Sequence, residues 1–331
     1  MDVLKITNKI SLSLKTRIKR TALCGLLCLA FPAFAQINMT PKQLLIDMNR
    51  AQEQLNYEYS FVQSSVLDIN TYQYRHIHVD GKSYAQLATL NGLQQEILLQ
   101  HNMVSYLHPN SPSFTIKSSK IIDNFPNILN ANIDKISRYY DFVALGRNRM
   151  AGHLVQTIRI VPKDNFRYQY VVFVDEESHL LLGSDMLDQD ADVIERFRVV
   201  NFYVGDEEIE PLRNYLGKLN IPPMLVDKSE AKRKFKWQVK WLPSGFTLLS
   251  QKVENVGDQN DQIESRLYSD GLFSFTVYVA NNSLPDKQEG VWKQGSFTIY
   301  SETVNDKEIT VIGQIPLTTA KRIAQEVKLG E

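Results

Sequence analysis

From Tyr139 to Phe202 the sequence alternates β-rich runs with short polar breaks, and this stretch limits the possible folds more than any other. Leu154, Gln156, Ile158 and Ile160 share one face of a first strand. Arg167 to Asp175, Leu180 to Asp188 and Val193 to Val204 form three more. The breaks are Pro162-Lys163-Asp164-Asn165, Asp175-Glu176-Glu177-Ser178 and Asp188-Gln189-Asp190-Ala191-Asp192, whose short polar side chains bond their own backbone and favour turns. In the last run Val193, Phe197 and Val199 share a side with Glu195, and Arg196 and Arg198 lie opposite. That alternation belongs to an antiparallel sheet with one packed face and one wet face. Such a meander presents a surface or walls a cavity, and nothing in it resembles a catalytic loop.

The residues before the meander extend the same plan. Thr40, Pro41 and Gln43 open a helix as N-cap, first helical residue and capping-box partner. Leu44, Leu45, Met48, Ala51 and Leu55 follow at helical spacing, and Asn56 ends it. Strands are expected at 57–62, 72–79 (closed by Asp80-Gly81), 84–90, 96–99 and 103–107. Pro109, Pro112 and Ser113 mark a loop, and a second helix is expected across 124–140. Nine or so strands with two helices make one long, curved antiparallel sheet wrapped round helices.

Length and charge bound the rest. The chain has 331 residues, a prior for two domains. Lys15, Arg17, Lys19 and Arg20 precede the apolar run Ala22 to Phe34 and the cleavage pattern Ala33-Phe34-Ala35. Those 13 residues fall short of the roughly 20 that span a bilayer, so residues 1–35 are expected to be a cleaved secretory signal, with Gln36 first in the mature chain. Cys24 and Cys28 leave with it, and no disulfide framework remains. The whole chain is neutral and the first 35 residues carry six basic groups and one acidic group, which leaves the mature chain at −5. No global basic field therefore exists to recruit nucleic acid.

Beyond the meander the composition shifts. Residues 36–210 are expected as the large domain, 211–232 as a linker containing Ile221-Pro222-Pro223, and 233–331 as a small α+β domain. The small domain holds a hairpin, 265–268 and 272–279, about the turn Ser269-Asp270-Gly271. Further strands are expected at 296–303 and 308–312, and Thr318 is expected to cap a last helix whose buried stripe is Ala320, Ile323, Ala324 and Val327.

Catalytic motifs are missing: there is no G-x-S-x-G, no H-E-x-x-H and no phosphate-binding glycine pattern, so an enzyme and a cofactor are not expected. His76 and His78 share a strand face, but two rings without a third ligand favour a structural or solvated role over a metal site. The aromatics admit two readings. Tyr59, Phe61, Tyr72, Tyr74, Tyr106, Phe142, Tyr168 and Tyr170 build an ordinary β-domain core, or they line a cavity suited to acyl chains. In the second reading Arg147, Arg149, Arg159 and Arg167 meet phosphates at the rim. In the small domain Arg266, Tyr268, Leu272, Phe273 and Phe275 carry apolar groups on both hairpin faces, with room for a partner strand or helix.

The residues also carry a resemblance. Tyr139-Tyr140-Asp141-Phe142, Gly146-Arg147, Arg149, Arg159, Arg167-Tyr168, Asp175, 186–190 and 195–199 resemble the RseB/MucB family, periplasmic negative regulators of the sigma-E envelope-stress response. Trp241-Leu242-Pro243, the 264–275 hairpin and 319–324 match the same family, as do 55–58 and 74–76. The resemblance implies a large LolA/LolB-like unclosed β-barrel with helices and a smaller C-terminal domain that binds the periplasmic part of the anti-sigma factor RseA (MucA in some bacteria). It also implies that binding shields RseA from the membrane protease DegS and that lipopolysaccharide or another lipid releases the hold. A periplasmic lipid or lipoprotein carrier of the LolA/LolB type is the alternative, and self-association into a homo-oligomer is compatible with either. A simple carrier needs only the cavity, so the second domain favours the regulator.

Overall fold

The computed structural model describes residues 39–66, 68–225, 235–256, 261–281 and 289–330. The expected signal, 1–35, and the end of the expected linker, 226–232, lie outside these residues. The chain is mostly β with four α-helices among the described residues. Helix α1 (Pro41–Gln54) leads into strands β1 (Tyr57–Ser65), β2 (Ile69–Val79), β3 (Lys82–Thr89), β4 (Glu96–Gln100), β5 (Met103–Leu107) and β6 (Phe114–Lys117). A 3-10 turn (Asn127–Asn130) and helix α2 (Ile133–Ile136) connect to β7 (Tyr140–Met150), β8 (His153–Pro162), β9 (Gln169–Asp175), β10 (Leu181–Leu187) and β11 (Val193–Val204). After α3 (Ile209–Leu216) come β12 (Trp237–Val239), β13 (Thr247–Val256), β14 (Asp261–Ser269), β15 (Ser274–Asn281), β16 (Gly290–Gln294), β17 (Phe297–Val304), β18 (Lys307–Gly313), α4 (Leu317–Gln325) and β19 (Val327–Leu329).

Two successive meanders join into one sheet because β1 pairs antiparallel with β11. The order is β6-β5-β4-β3-β2-β1-β11-β10-β9-β8-β7, so β6 and β7 are its two unclosed ends. The turns explain the register. Asp80-Gly81 and His101-Asn102 both take positive φ, the geometry whose twist matches antiparallel strands. The β6 edge is covered, since Thr115 bridges to Met224 and hydrogen-bonds Pro223 and Leu225. Helix α3 lies on the outer face of β2 and β3, where Leu212 and Leu216 bury Ile77 and Leu98.

Helix α1 starts as expected, with the Thr40 hydroxyl accepting from the Gln43 amide at 3.2 Å. The Gln43 side chain turns instead to Asp47, so only half of the capping box forms. Leu44, Leu45 and Met48 face inward. The single helix expected over 124–140 is a 3-10 turn and one α-turn, because Asn132 starts a new helix by accepting from the Lys135 amide. Strand β6 follows directly on the expected loop at 109–113, in a run for which no element was expected. Strand β7 lacks an inward-facing stripe, being exposed over most of its length, and so gives no alternation to read. Eleven strands stand where nine were expected. In β11 it is Ile194, not Val193, that is buried, because the β10–β11 register shifts there.

The second sheet runs β13-β14-β15-β18-β17-β16, with β12 and β19 paired separately. Phe275, Val277, Tyr300, Ile309 and Val311 form its inner face under Ala320, Ile323 and Ala324 of α4. Pro316, not Thr318, precedes that helix, and Val327 lies in β19 beyond its end. The two sheets belong to one compact unit, residues 39–331.

Candidate functional site

The expected cavity aromatics build mainly the core of the large sheet. Phe61 is fully buried and packs on Tyr72, Phe125 and Phe197 with ring centroids 4.9–5.3 Å apart. Tyr59 donates to the Leu181 carbonyl at 3.1 Å and accepts from Gln52 at 3.0 Å. Tyr72 donates to Asn124 at 3.1 Å. Tyr106 stacks on Phe114 at 4.8 Å and donates to Asp123 at 2.8 Å. Phe142 is half-buried against the core. Tyr168 and Tyr170 face the second sheet: Tyr168 donates to the Ile315 carbonyl at 3.1 Å, and Tyr170 stacks on Phe273 at 5.6 Å, nearly parallel. Buried side chains of 121–136, among them Phe125, Ile128 and Leu129, pack in the same core as these aromatics.

An open cleft of about 350 Å³ lies beside the C-terminal end of α1. Tyr74 is the one cavity candidate on its wall, together with Tyr57, His76, His78, Lys82 and Lys120. This is the lower end of the volume range of small-molecule sites. Lys120 is paired with Glu53 at 3.1 Å. His76 is buried, its Nδ1 lies 2.8 Å from the Leu55 carbonyl, and burial lowers its pKa to about 4. His78 meets Ser83 through its own Nδ1 at 3.0 Å. Each ring thus has one nitrogen engaged by a neutral oxygen.

Burial of His76 makes stability depend on pH. The folded pKa lies below the unfolded value of about 6.5, so the unfolded chain binds the proton first. His76 therefore contributes stability above pH 6.5 that is lost as pH falls toward 4, by up to about 3 kcal/mol. Urea unfolding at pH 7.5 and 4.5 should show a steeper loss for the wild type than for His76→Gln. Equal losses would contradict the assignment.

The four arginines do not converge. Arg147 is exposed on β7 and paired with Glu176 at 2.6 Å; Arg149 is exposed and donates to the Gly152 carbonyl; Arg159 donates to Gln169. None of them lines the cleft. Arg167 is no rim residue, because its side chain is wholly buried. Its guanidinium donates to Asp270 at 2.7 Å, to Asp164 at 2.8 Å and to the Ser244 carbonyl, between the rings of Tyr139, Tyr140 and Phe246. The Tyr140 hydroxyl donates to the same Asp270 oxygen at 2.6 Å, and the other Asp270 oxygen accepts from the Leu272 and Phe273 amides. Burial, then the nearby Asp270 charge, pushes the Tyr140 phenol well up and keeps it a donor. Gly245 takes φ +93° with its backbone against the Tyr139 ring, a conformation and an approach that leave no room for a side chain.

The expected partner hairpin is turned into this junction. Tyr268, Leu272, Phe273 and Phe275 are all buried, and Arg266 lies over the rings of Phe235 and Trp237. The five do not form an exposed surface in this arrangement. A neighbouring contact locks the same seam: Arg322 lies 3.8 Å from the Trp241 ring centroid, and Trp241 packs edge-on against Phe166. Sequence reasoning missed the pairing of Arg167 with Asp270, 103 positions apart. The only signal was an aspartate in the turn of a hairpin otherwise rich in apolar residues.

The described residues form two main sheets joined through the Arg167–Asp270 cluster, and comparison with known proteins gives the class. Residues 40–225 match the MucB/RseB N-terminal domain and 231–328 the MucB/RseB C-terminal domain. The chain is 49% identical over 315 residues to the sigma-E factor regulatory protein RseB of Haemophilus influenzae, covering 95% of this chain and 99% of that one. It is 38% identical to RseB of Escherichia coli over 91% of this chain and 95% of the relative. Among solved structures, the Pseudomonas aeruginosa MucA/MucB complex gives a TM-score of 0.72 at 21% identity, over 88% of this chain and 99% of that one. The chain belongs to the MucB/RseB family.

Proposed function

We propose that this protein is a periplasmic negative regulator of a sigma-E-type stress response. It binds the periplasmic region of an RseA/MucA-type anti-sigma factor and shields it from proteolysis. The observation that carries the reading is the 49% identity to the Haemophilus influenzae sigma-E regulatory protein across both domains. The likeness in fold to MucB solved together with MucA supports it. In this reading residues 36–210 and 233–331 act as two domains, and the chain works after export.

Lipopolysaccharide or another lipid lowers the affinity for the anti-sigma factor. The supporting feature is the cleft at the end of α1, where Tyr57 and Tyr74 offer ring faces, Lys82 offers a cation, and Lys120 stands paired with Glu53 on the same wall. In this reading Lys82 takes the place of the expected arginine rim. The carrier alternative loses ground because most of the expected cavity aromatics pack into the core together with Phe125, Ile128 and Leu129. To test the reading, the anti-sigma factor's periplasmic segment is digested by the membrane protease that cleaves it, with and without the mature protein. Protection that added lipid A removes supports the proposal. Unchanged cleavage in the presence of excess protein overturns it.

A further inference from the structure

We infer that the junction between the two sheets holds a binding trough for an extended peptide segment bearing a cationic side chain, with Glu195 as its charge anchor and the Tyr170 hydroxyl as its hydrogen-bond anchor. Two adjoining hollows of about 350 and 360 Å³ share Gln63, Glu195 and Phe297, so the space continues from Ile122 on one side to Asp68 on the other. Both sheets contribute walls.

Charge points to the ligand. Glu195 and Asp68 line the trough, and among the described residues no lysine or arginine does. Among the described residues Glu195 accepts from neutral donors, the Ser296 hydroxyl at 2.9 Å and the Gln63 amide at 3.4 Å. The cations beside it in sequence are already engaged, since Arg196 and Arg198 both pair with Asp185, at 2.8 and 2.6 Å. A half-buried carboxylate with neutral partners is an acceptor for an incoming charge-assisted hydrogen bond.

The remaining groups fit a peptide backbone. Four amide side chains line it and are partly engaged: Asn127 donates to Gln314 at 2.5 Å, Gln314 to Ser296 at 3.1 Å and Gln63 to Glu195 at 3.4 Å, while Asn124 accepts from Tyr72 at 3.1 Å. Each amide has a second N–H and a second oxygen lone pair, which the C=O and N–H groups of an extended chain can use. The Tyr170 hydroxyl is buried beside the Asn127 backbone yet makes no hydrogen bond of ordinary geometry. Such a group costs free energy until a ligand or water satisfies it. Phe297 and Ile122 stay exposed on the rim, at 49% and 56%, for apolar side chains. Because Ser296 and Gln314 come from one sheet and Glu195 and Gln63 from the other, an occupant favours one arrangement of the sheets, and the linkage is reciprocal.

The inference rests on the proposed function for the identity of the segment, an anti-sigma factor's periplasmic region. The mature protein, Glu195→Gln and Tyr170→Phe are each titrated with that segment by calorimetry at low and high salt. Glu195→Gln keeps acceptors for Ser296 and Gln63 and should bind about tenfold more weakly at low salt, with a smaller salt dependence than the wild type. Tyr170→Phe should bind about threefold more weakly while its unfolding midpoint stays level or rises, a pair of changes that a purely structural tyrosine would not produce. Wild-type binding that neither variant weakens overturns the trough and leaves the proposed function standing. Absence of wild-type binding overturns the proposed function. The trough is then judged by titrating trilysine against labelled protein, where resonance shifts at Glu195 and Ser296 support it and their absence overturns it.

Discussion

Arg167→Ala should lower the free energy of unfolding by about 3–5 kcal/mol, the usual cost of removing one member of a buried ion pair. The guanidinium has no solvent exposure and neither has the Asp270 carboxylate it meets. Removing it strands Asp270 with the Tyr140 hydroxyl and two backbone amides, and strips Asp164 of a bidentate partner. The three surrounding rings lose their filling as well. Asp270→Asn should cost less alone, and Arg167→Met with Asp270→Asn should recover part of the loss, since the stranded charge is gone. Urea unfolding of these variants together with Arg167→Met alone gives the coupling. A loss below about 1 kcal/mol for Arg167→Ala would mean that the cluster is not what joins the sheets.

Phe61→Ala should cost a similar amount, about 3–5 kcal/mol, through lost transfer energy and a cavity that its neighbours cannot fill. Phe61 is fully buried between β2, β11 and the 121–136 segment, touching Tyr72, Phe197 and Phe125. The large sheet therefore unfolds at lower urea, with little change in slope. The same variant separates the two readings of the aromatics. If Phe61 lined a lipid cavity, its removal would alter lipid binding with little loss of stability. If it is core, stability falls first.

The large sheet was legible where alternation was strong. Strands β9, β10 and β11 lie close to the expected runs because inward residues such as Tyr170, Val172 and Val174 recur at period two. Strand β7 was not legible, since an edge strand exposed on both faces carries Gly146, Arg147, Asn148 and Arg149 with no inward stripe. The site was harder to read. Both core and cavity residues are aromatic, and only three-dimensional packing shows that Phe125 and Leu129 pack in the same core. Arg167 looked like a phosphate ligand because its partner stands in another sheet. Glu195 read as an ordinary member of an alternating strand, and the lack of cations round it appears only when two sheets meet.

Whether this chain holds the periplasmic region of an anti-sigma factor is tested most directly by a calorimetric titration of mature protein with that segment. Saturable binding with a Kd below about 10 µM is the expected result, equivalent to roughly 7 kcal/mol of association free energy. A flat titration at concentrations well above that, with protein that unfolds cooperatively in the same buffer, would contradict it.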